Sequence, residues 1–191
     1  VYDGSWNLLR TVAMVPDEVR ALVDYCDERS LPLWLVSEQR SRFNYHFNDR
    51  VPVVMAEIHT EIPERCDLHT MLQEPVVKAV MFLTAQEVRE GPLSFMPHAR
   101  STQWFIHGQD IIPAEGGKLP AMRFMAEANG WSPDELMAFG DSENDNEMLR
   151  YAGTGVAMGN ALEETKAASD YVTDDCDDEG VAHALAHFAL I

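Results

Sequence analysis

The strongest constraint on the fold is a regular alternation of helix and strand patterns through residues 118–191. A helix is predicted from Lys118 to about Asn129, and short apolar strands then alternate with amphipathic segments. In chain order these read LMAF, NDNEMLRYA, GVAM, ALEETKAAS, YVT and DEGVAHALAHFAL. This alternation predicts an α/β fold in which a parallel sheet is covered by helices on both faces.

The first half of the chain has a less regular pattern. Residues 16–30 place apolar side chains at helical spacing behind a proline and two acids, which predicts an amphipathic helix. We predict strands at 31–36, 52–56 and 76–84, a short helix within 40–48 and long connections over 57–73. The pattern changes near Thr102. We therefore predict one α/β domain over residues 1–102 and a second over 103–191.

Composition excludes several classes of partner. Lys and Arg number 14 against 32 Asp and Glu, a formal net charge of −18 that would repel nucleic acid. No apolar stretch approaches the ~20 residues of a membrane helix, and no signal peptide opens the chain. The three cysteines lack metal-binding or disulfide spacing, which favours a reducing cytoplasm. Oligomeric state is not predictable from the sequence.

The segment LMAFGDSENDNEML carries the clearest chemical signal. An apolar strand leads into Gly140-Asp141, and a helix opens with Asn144 and Asp145. In open α/β sheets, ligands bind beyond the carboxyl ends of the strands. The spacing allows the side chains of Asp141, Asn144 and Asp145 to converge there. Carboxylate and amide oxygens suit a hard cation such as Mg²⁺.

The residue types of this segment also occur in two other structures. Asp and Asn are common helix caps, so residues 141–145 could simply start a helix. A calcium loop also places acids at its positions 1, 3 and 5. That loop is excluded because Asn146 stands where glycine is required and Ala152 where a bidentate Glu is required.

Lys118 follows a Gly-Gly pair at a predicted helix start, where an ammonium and backbone N–H groups could hold a phosphate. An exposed, solvated lysine is the alternative. A nucleotide P-loop is excluded because Leu119 replaces its Ser or Thr. GTGVAMGN is not a dinucleotide fingerprint, because Met158 occupies the position of the third glycine.

Taken together, GGK, AFGDSENDNEML and GTGVAMGNALEETKAASDYVTDDCDDEGVAHAL closely resemble the end of Cof-type phosphatases, subclass IIB of the haloacid dehalogenase (HAD) superfamily. The resemblance is nearly gapless from about Asp110 to Phe188. Residues 1–102 resemble the α/β cap of this family in pattern only. The resemblance implies the C-terminal part of a Rossmann-like core plus a cap.

By this resemblance, Lys118 would neutralise the phosphoryl group and the nucleophile, and Asp141 would ligate Mg²⁺. Asn144 would position the phosphate and Asp145 would support the metal shell, so Asp141 and Asp145 are the predicted metal residues. The family's nucleophilic and acid/base aspartates lie in a DxDGT loop. Only Asp3-Gly4-Ser5 resembles that loop, with Val1 at the nucleophile position. We interpret this match as accidental and expect residues 1–191 alone to be inactive.

The resemblance implies hydrolysis of small phosphorylated metabolites, with sugar phosphates favoured, through an aspartyl-phosphate intermediate. A phosphomutase on the same fold and a non-catalytic phosphate-binding fragment remain alternatives. Cap contacts to substrate are left unassigned. Four side chains could bind a sugar or could instead pack within the cap, namely Arg40, Phe43, Tyr45 and His46.

Overall fold

The computed structural model describes all 191 residues, which divide into two compact units, Val1–Gly116 and Gly117–Ile191. No helix in it combines the length and apolar character needed to cross a lipid bilayer.

The first unit is built on a five-stranded antiparallel sheet in the order β2-β1-β3-β5-β4. Its elements, in chain order, are α1 (Pro16–Glu28), β1 (Leu33–Ser37), β2 (Ser41–Phe43), α2 (Arg50–Glu57), β3 (Val76–Met81), α3 (Ala85–Glu90), β4 (Ala99–Phe105) and β5 (Gly108–Pro113), with a 3₁₀ turn at Leu68–Met71.

Both faces of this sheet carry apolar clusters, because successive strand residues point to opposite sides. Leu33 and Leu35 of β1 belong to an apolar cluster that includes residues of α1 and α3. Trp34, which lies between them, packs on the opposite face against a second cluster that includes residues of α2. Val80 of β3 also faces the α2 side. Period-2 alternation therefore places helices on both faces of the sheet.

Two predictions for this unit are wrong. Residues 52–56 lie inside helix α2, where Val51, Val54 and Met55 are buried at helical spacing while Val53 is 53% exposed. Pro52 is tolerated because it stands in the first turn, where its missing N–H has no intrahelical partner. The short helix predicted within 40–48 is instead strand β2, which pairs with β1.

The compact units also divide later than the predicted boundary at 102/103. Strands β4 and β5 form a hairpin, and β5 pairs with β3 through contacts such as Val80 with Asp110. This pairing places the hairpin in the first unit, so the division falls between Gly116 and Gly117.

The second unit contains the predicted parallel sheet, with strands in the order β6-β7-β8. Its elements are α4 (Lys118–Asn129), β6 (Met137–Gly140), α5 (Asn146–Tyr151), β7 (Thr154–Ala157), α6 (Glu163–Lys166), β8 (Tyr171–Val172) and α7 (Gly180–His187). Buried Ala138 of β6 packs with Leu149 of α5 and Met122 of α4. The helix and strand alternation from residue 118 onward is therefore confirmed.

Candidate active site

The loop after β6 is held at the carboxyl ends of two parallel strands. The backbone N–H of Met158, just past β7, donates to the Gly140 carbonyl at 2.9 Å, and that of Leu162 donates to the Asp141 carbonyl at 3.2 Å. These bonds fix the main chain of the loop and leave the side chain of Asp141 exposed to solvent. This is the edge of an α/β sheet at which ligands bind.

Asp145 is the organising side chain of this loop. It is 1% exposed, and both carboxylate oxygens accept hydrogen bonds. Oδ1 accepts from the Lys118 ammonium at 2.5 Å, and Oδ2 accepts from the N–H groups of Asp141 at 3.1 Å and Ser142 at 3.4 Å. A buried carboxylate is tolerated when it is paired and hydrogen-bonded in this way. Asp145 therefore joins the start of α4 to the loop after β6.

The capping interpretation is correct for part of this segment. Ser142 and Asp145 form a capping box around a 3₁₀ turn at Glu143–Asp145, which immediately precedes α5. The same carboxylate also binds Lys118. The Asp145 side chain therefore both caps the 3₁₀ turn and pairs with Lys118.

Gly140 makes the close approach of Asp145 possible. A Cβ atom added at this glycine would lie 2.8 Å from Cγ of Asp145, which is closer than real Cβ contacts allow. The missing side chain therefore lets the buried carboxylate sit against the end of β6.

Lys118 is the first residue of α4, and its conformation depends on the residue before it. Gly117 has φ of 119°, a value that favours glycine over residues with a Cβ. The Lys118 side chain is 50% exposed, so one side of the ammonium binds Asp145 while the rest reaches solvent. An ammonium held in this way can also bind an anion.

Asn144 and Asp141 remain more open. The side-chain oxygen of Asn144 accepts a hydrogen bond from the Ser142 hydroxyl at 3.3 Å, which leaves its NH₂ group available as a donor. No hydrogen bond or ion pair joins the Asp141 carboxylate to Lys118. Thus the structure joins Lys118, Asp145 and the loop backbone directly, while Asp141 shares the loop but not the ion pair.

The oxygen donors of the loop fit Mg²⁺ in chemical type. No group of three or more His, Cys, Asp or Glu side chains has metal-binding geometry. Mg²⁺ commonly binds one or two carboxylates and keeps several waters. Asp141 offers an exposed carboxylate at the end of β6, whereas both oxygens of Asp145 are already occupied.

Ser142 belongs to the candidate site through its contacts with Asp145 and Asn144, and it is not among the residues predicted from the sequence. Its backbone binds Asp145, and its hydroxyl orients the amide of Asn144. The spacing of Ser142 and Asp145 matches a capping box with Asp in place of Glu, and this signal would have identified the residue.

Asp3 forms a local turn. Its carboxylate accepts hydrogen bonds from the N–H groups of Ser5 and Asn7 at 2.8 Å, and from the Asn7 side chain at 2.9 Å. The Asn7 side-chain bond is the main cause that lowers the pKa of Asp3. A turn accounts for the Asp3-Gly4-Ser5 sequence without a catalytic role.

Most of the four unassigned side chains of the first unit have structural contacts. Phe43 is fully buried, with its ring centroid 5.4 Å from that of Phe82. Arg40 pairs with Glu74, and His46 lies 3.1 Å from Asp27. Tyr45 is 67% exposed.

Several known proteins are similar to this chain in sequence and structure. YkrA of Bacillus subtilis (strain 168) is 29% identical over 173 residues, which cover 91% of this chain and 66% of YkrA. The 5-amino-6-(5-phospho-D-ribitylamino)uracil phosphatase YitU of the same organism is 26% identical over 97% of this chain and 70% of YitU.

A solved structure of the HAD subclass IIB sugar phosphatase BT4131 superposes with a TM-score of 0.82 at 29% identity. The superposition covers 94% of this chain and 68% of BT4131. The chain thus spans about two thirds of the length of these relatives. A sequence profile of the haloacid dehalogenase-like hydrolases matches residues 1–185. The chain therefore belongs to the haloacid dehalogenase-like hydrolase family, within its Cof-type phosphatases.

Proposed function

We propose that the protein containing this chain is a Mg²⁺-dependent phosphatase that hydrolyses small phosphorylated metabolites. The observation that carries the proposal is the buried Asp145 carboxylate, which binds Lys118 on one oxygen and the loop of Asp141 on the other. This arrangement holds an ammonium and an exposed carboxylate on one framework at the end of β6. Phosphoryl transfer depends mainly on such electrostatic positioning.

Each residue has a distinct role in this proposal. Asp141 holds the metal, and Asp145 supports the site through its two hydrogen-bonded oxygens instead of binding the metal directly. Lys118 neutralises the charge of the phosphoryl group and of the nucleophile, while the free NH₂ group of Asn144 donates to a phosphate oxygen. When bound, Mg²⁺ would lower the repulsion between the anionic phosphate and an anionic nucleophile.

The nucleophile and its acid/base partner are assigned to aspartates outside residues 1–191. An aspartate oxygen attacks phosphorus in line, the bond from phosphorus to the leaving oxygen breaks, and the acid/base aspartate protonates the leaving alcohol. Water, deprotonated by that same group, then attacks the aspartyl-phosphate and releases inorganic phosphate. Both aspartates return to their starting forms.

Sugar phosphates are the proposed substrate class. Support comes from BT4131, a sugar phosphatase, and from YitU, whose named substrate carries a phosphoribityl group. We assign the unit Val1–Gly116 to the cap and the unit Gly117–Ile191 to the C-terminal part of the catalytic core. A cytoplasmic location is proposed because all three cysteines are free.

The test uses the protein as its gene encodes it. Release of inorganic phosphate from p-nitrophenyl phosphate and a panel of sugar phosphates is measured with Mg²⁺ and with excess EDTA. We expect Mg²⁺-dependent release that Asp141→Ala reduces by at least ~10²-fold, since lost electrostatic stabilisation has effects of this size. Glu143→Ala, a change of an exposed acid on the same loop, serves as the matched control.

Three outcomes contradict the proposal. EDTA-insensitive release would exclude the metal, and equal rates in Asp141→Ala and the unsubstituted protein would exclude the site. Transfer of labelled phosphate between sugar positions without net release would identify a phosphomutase.

A further inference from the structure

A histidine in the first unit has a carboxylate at each ring nitrogen. Nε2 of His69 lies 2.8 Å from an oxygen of Asp24 on α1, and Nδ1 lies 2.9 Å from an oxygen of Asp67. A second α1 carboxylate, that of Asp27, is 4.0 Å from Nδ1. The imidazole therefore joins α1 to the 3₁₀ turn at Leu68–Met71.

The protonation state follows from the chemistry of imidazole. A neutral ring has one N–H donor and one lone pair, whereas an imidazolium has two donors. A deprotonated carboxylate only accepts. Both contacts can be hydrogen bonds only if His69 is protonated, and loss of the proton leaves a ring lone pair facing a carboxylate oxygen.

Asp67 has little freedom to relieve that repulsion. The oxygen that faces Nδ1 also accepts the backbone N–H of His69 at 3.0 Å, which caps the 3₁₀ turn. If a neutral ring keeps its proton on Nδ1, the bond to Asp24 is lost. If it keeps the proton on Nε2, the Asp67 cap is repelled. Either tautomer weakens the connection.

We propose that His69 is an imidazolium in the folded protein and acts as a pH-sensitive latch between α1 and the turn at Leu68–Met71. The latch is a conformational device of the first unit and is independent of the proposed phosphatase activity.

The charged and titratable groups around the ring are mostly acidic. They are Asp24 and Asp27 of α1, Asp67 and Cys66 of the adjoining loop, and His46 after β2, which lies 3.1 Å from Asp27. Hydrogen bonds to Asp24 and then Asp67 raise the pKa of His69. The imidazole is 37% exposed, so water reaches the ring and it can titrate.

The direction of the pH effect follows from the raised pKa. The latch is complete below the ordinary histidine pKa of 6.5 and is lost as the pH rises through the higher pKa of the folded state. Leu68 and Met71 belong to the same apolar cluster as Leu22 of α1. Opening should therefore loosen the turn without unfolding the unit.

The test follows the histidine ring protons of the intact protein by NMR from pH 5 to pH 9, with His69→Gln used to assign the His69 signal. We expect His69 to titrate above the ordinary histidine pKa of 6.5, because both of its ring nitrogens face carboxylates. Asp24→Asn should lower the His69 midpoint, because it removes the carboxylate at Nε2. Amide exchange at residues 68–72, corrected for intrinsic rates, should quicken on the order of fivefold above the midpoint.

The proposal is overturned if His69 titrates at or below the ordinary histidine pKa of 6.5, if Asp24→Asn leaves its midpoint unmoved, or if exchange at 68–72 is independent of its charge. The His69 ring signal can also be assigned through its covalent connection to the His69 backbone amide, so the first and third outcomes can be decided on the unsubstituted protein even if a variant misfolds.

Discussion

The Lys118 ammonium and the Asp145 carboxylate form an ion pair of unequal burial. Their charged atoms lie 2.5 Å apart, yet the Lys118 side chain is 50% exposed while that of Asp145 is 1% exposed. The lysine can find water if the pair is broken, but the carboxylate cannot. Breaking the pair would therefore leave the Asp145 carboxylate buried without a countercharge, whereas the Lys118 ammonium would be solvated.

Lys118→Met should destabilise the protein because it leaves the buried carboxylate without its countercharge. We expect the free energy of unfolding to fall by about 1–3 kcal/mol, the usual cost of an unsatisfied buried group. Lys166→Met is a matched control because Lys166 pairs with Glu163, which is 92% exposed. That change should cost less than about 1 kcal/mol. Urea unfolding measures both, and equal losses would contradict the assigned role of Asp145.

Asp141→Asn should separate function from stability. The Asp141 carboxylate is exposed, and its backbone, not its side chain, makes the bonds that hold the loop. We expect the free energy of unfolding to change by no more than about 0.5 kcal/mol. Phosphate release should nevertheless fall, because the amide lacks the charge proposed to hold Mg²⁺. A large loss of stability would show instead that Asp141 is structural.

The second unit was largely predictable from sequence because its information is local. Each strand and helix after residue 118 has its own periodic pattern, and parallel pairing follows from their alternation. Lys118 and Asp145 are separated by 27 residues, and no local pattern indicates that they meet. The capping potential of Asp145 could be predicted, but its burial and its second partner could not.

The first unit was predicted less well because its sheet depends on distant pairings. Strand β3 lies between β1 and β5, so residues near 35, 79 and 111 share one sheet. The sequence around Thr102 gives no sign that β4 and β5 join strands far earlier in the chain. The strand predicted at 52–56 is wrong because adjacent valines favour strands, whereas the burial of Val51, Val54 and Met55 follows helical spacing.

Gly140→Ala should disturb the loop through a single methyl group. The added Cβ would overlap Asp145, which is held on both oxygens and cannot move without breaking those bonds. We expect a loss of about 1–3 kcal/mol, the cost of overpacking a fixed site, together with lower phosphate release. Gly4→Ala is the control, since nothing lies within 4 Å of the added atom. The free energy of unfolding of both variants is measured by thermal or urea unfolding. Equal values would contradict the proposed close packing of Gly140 against Asp145.

Glu87→Gln should reduce stability at neutral pH but not in acid. Both Glu87 oxygens accept from the Arg50 guanidinium, at 2.7 and 3.1 Å, and Oε2 also accepts the Thr84 N–H in the capping box of α3. The Arg50 contact is the main cause that lowers the pKa of Glu87 to about 2. The stabilisation is therefore complete above the ordinary pKa of 4.5 and is lost as the pH falls through about 2.

Glu87 is 43% exposed, so solvent screening should limit the loss at pH 7 to about 0.5–1 kcal/mol. In urea unfolding, the difference in free energy of unfolding between Glu87→Gln and the unsubstituted protein should become smaller from pH 5 to pH 2.5. Glu90→Gln is the control on the same helix, because Glu90 bonds only the Gln86 amide. Its effect on the free energy of unfolding at pH 7 should be small. A pH-independent difference for Glu87→Gln would mean that the carboxylate charge contributes nothing and that only the cap stabilises α3.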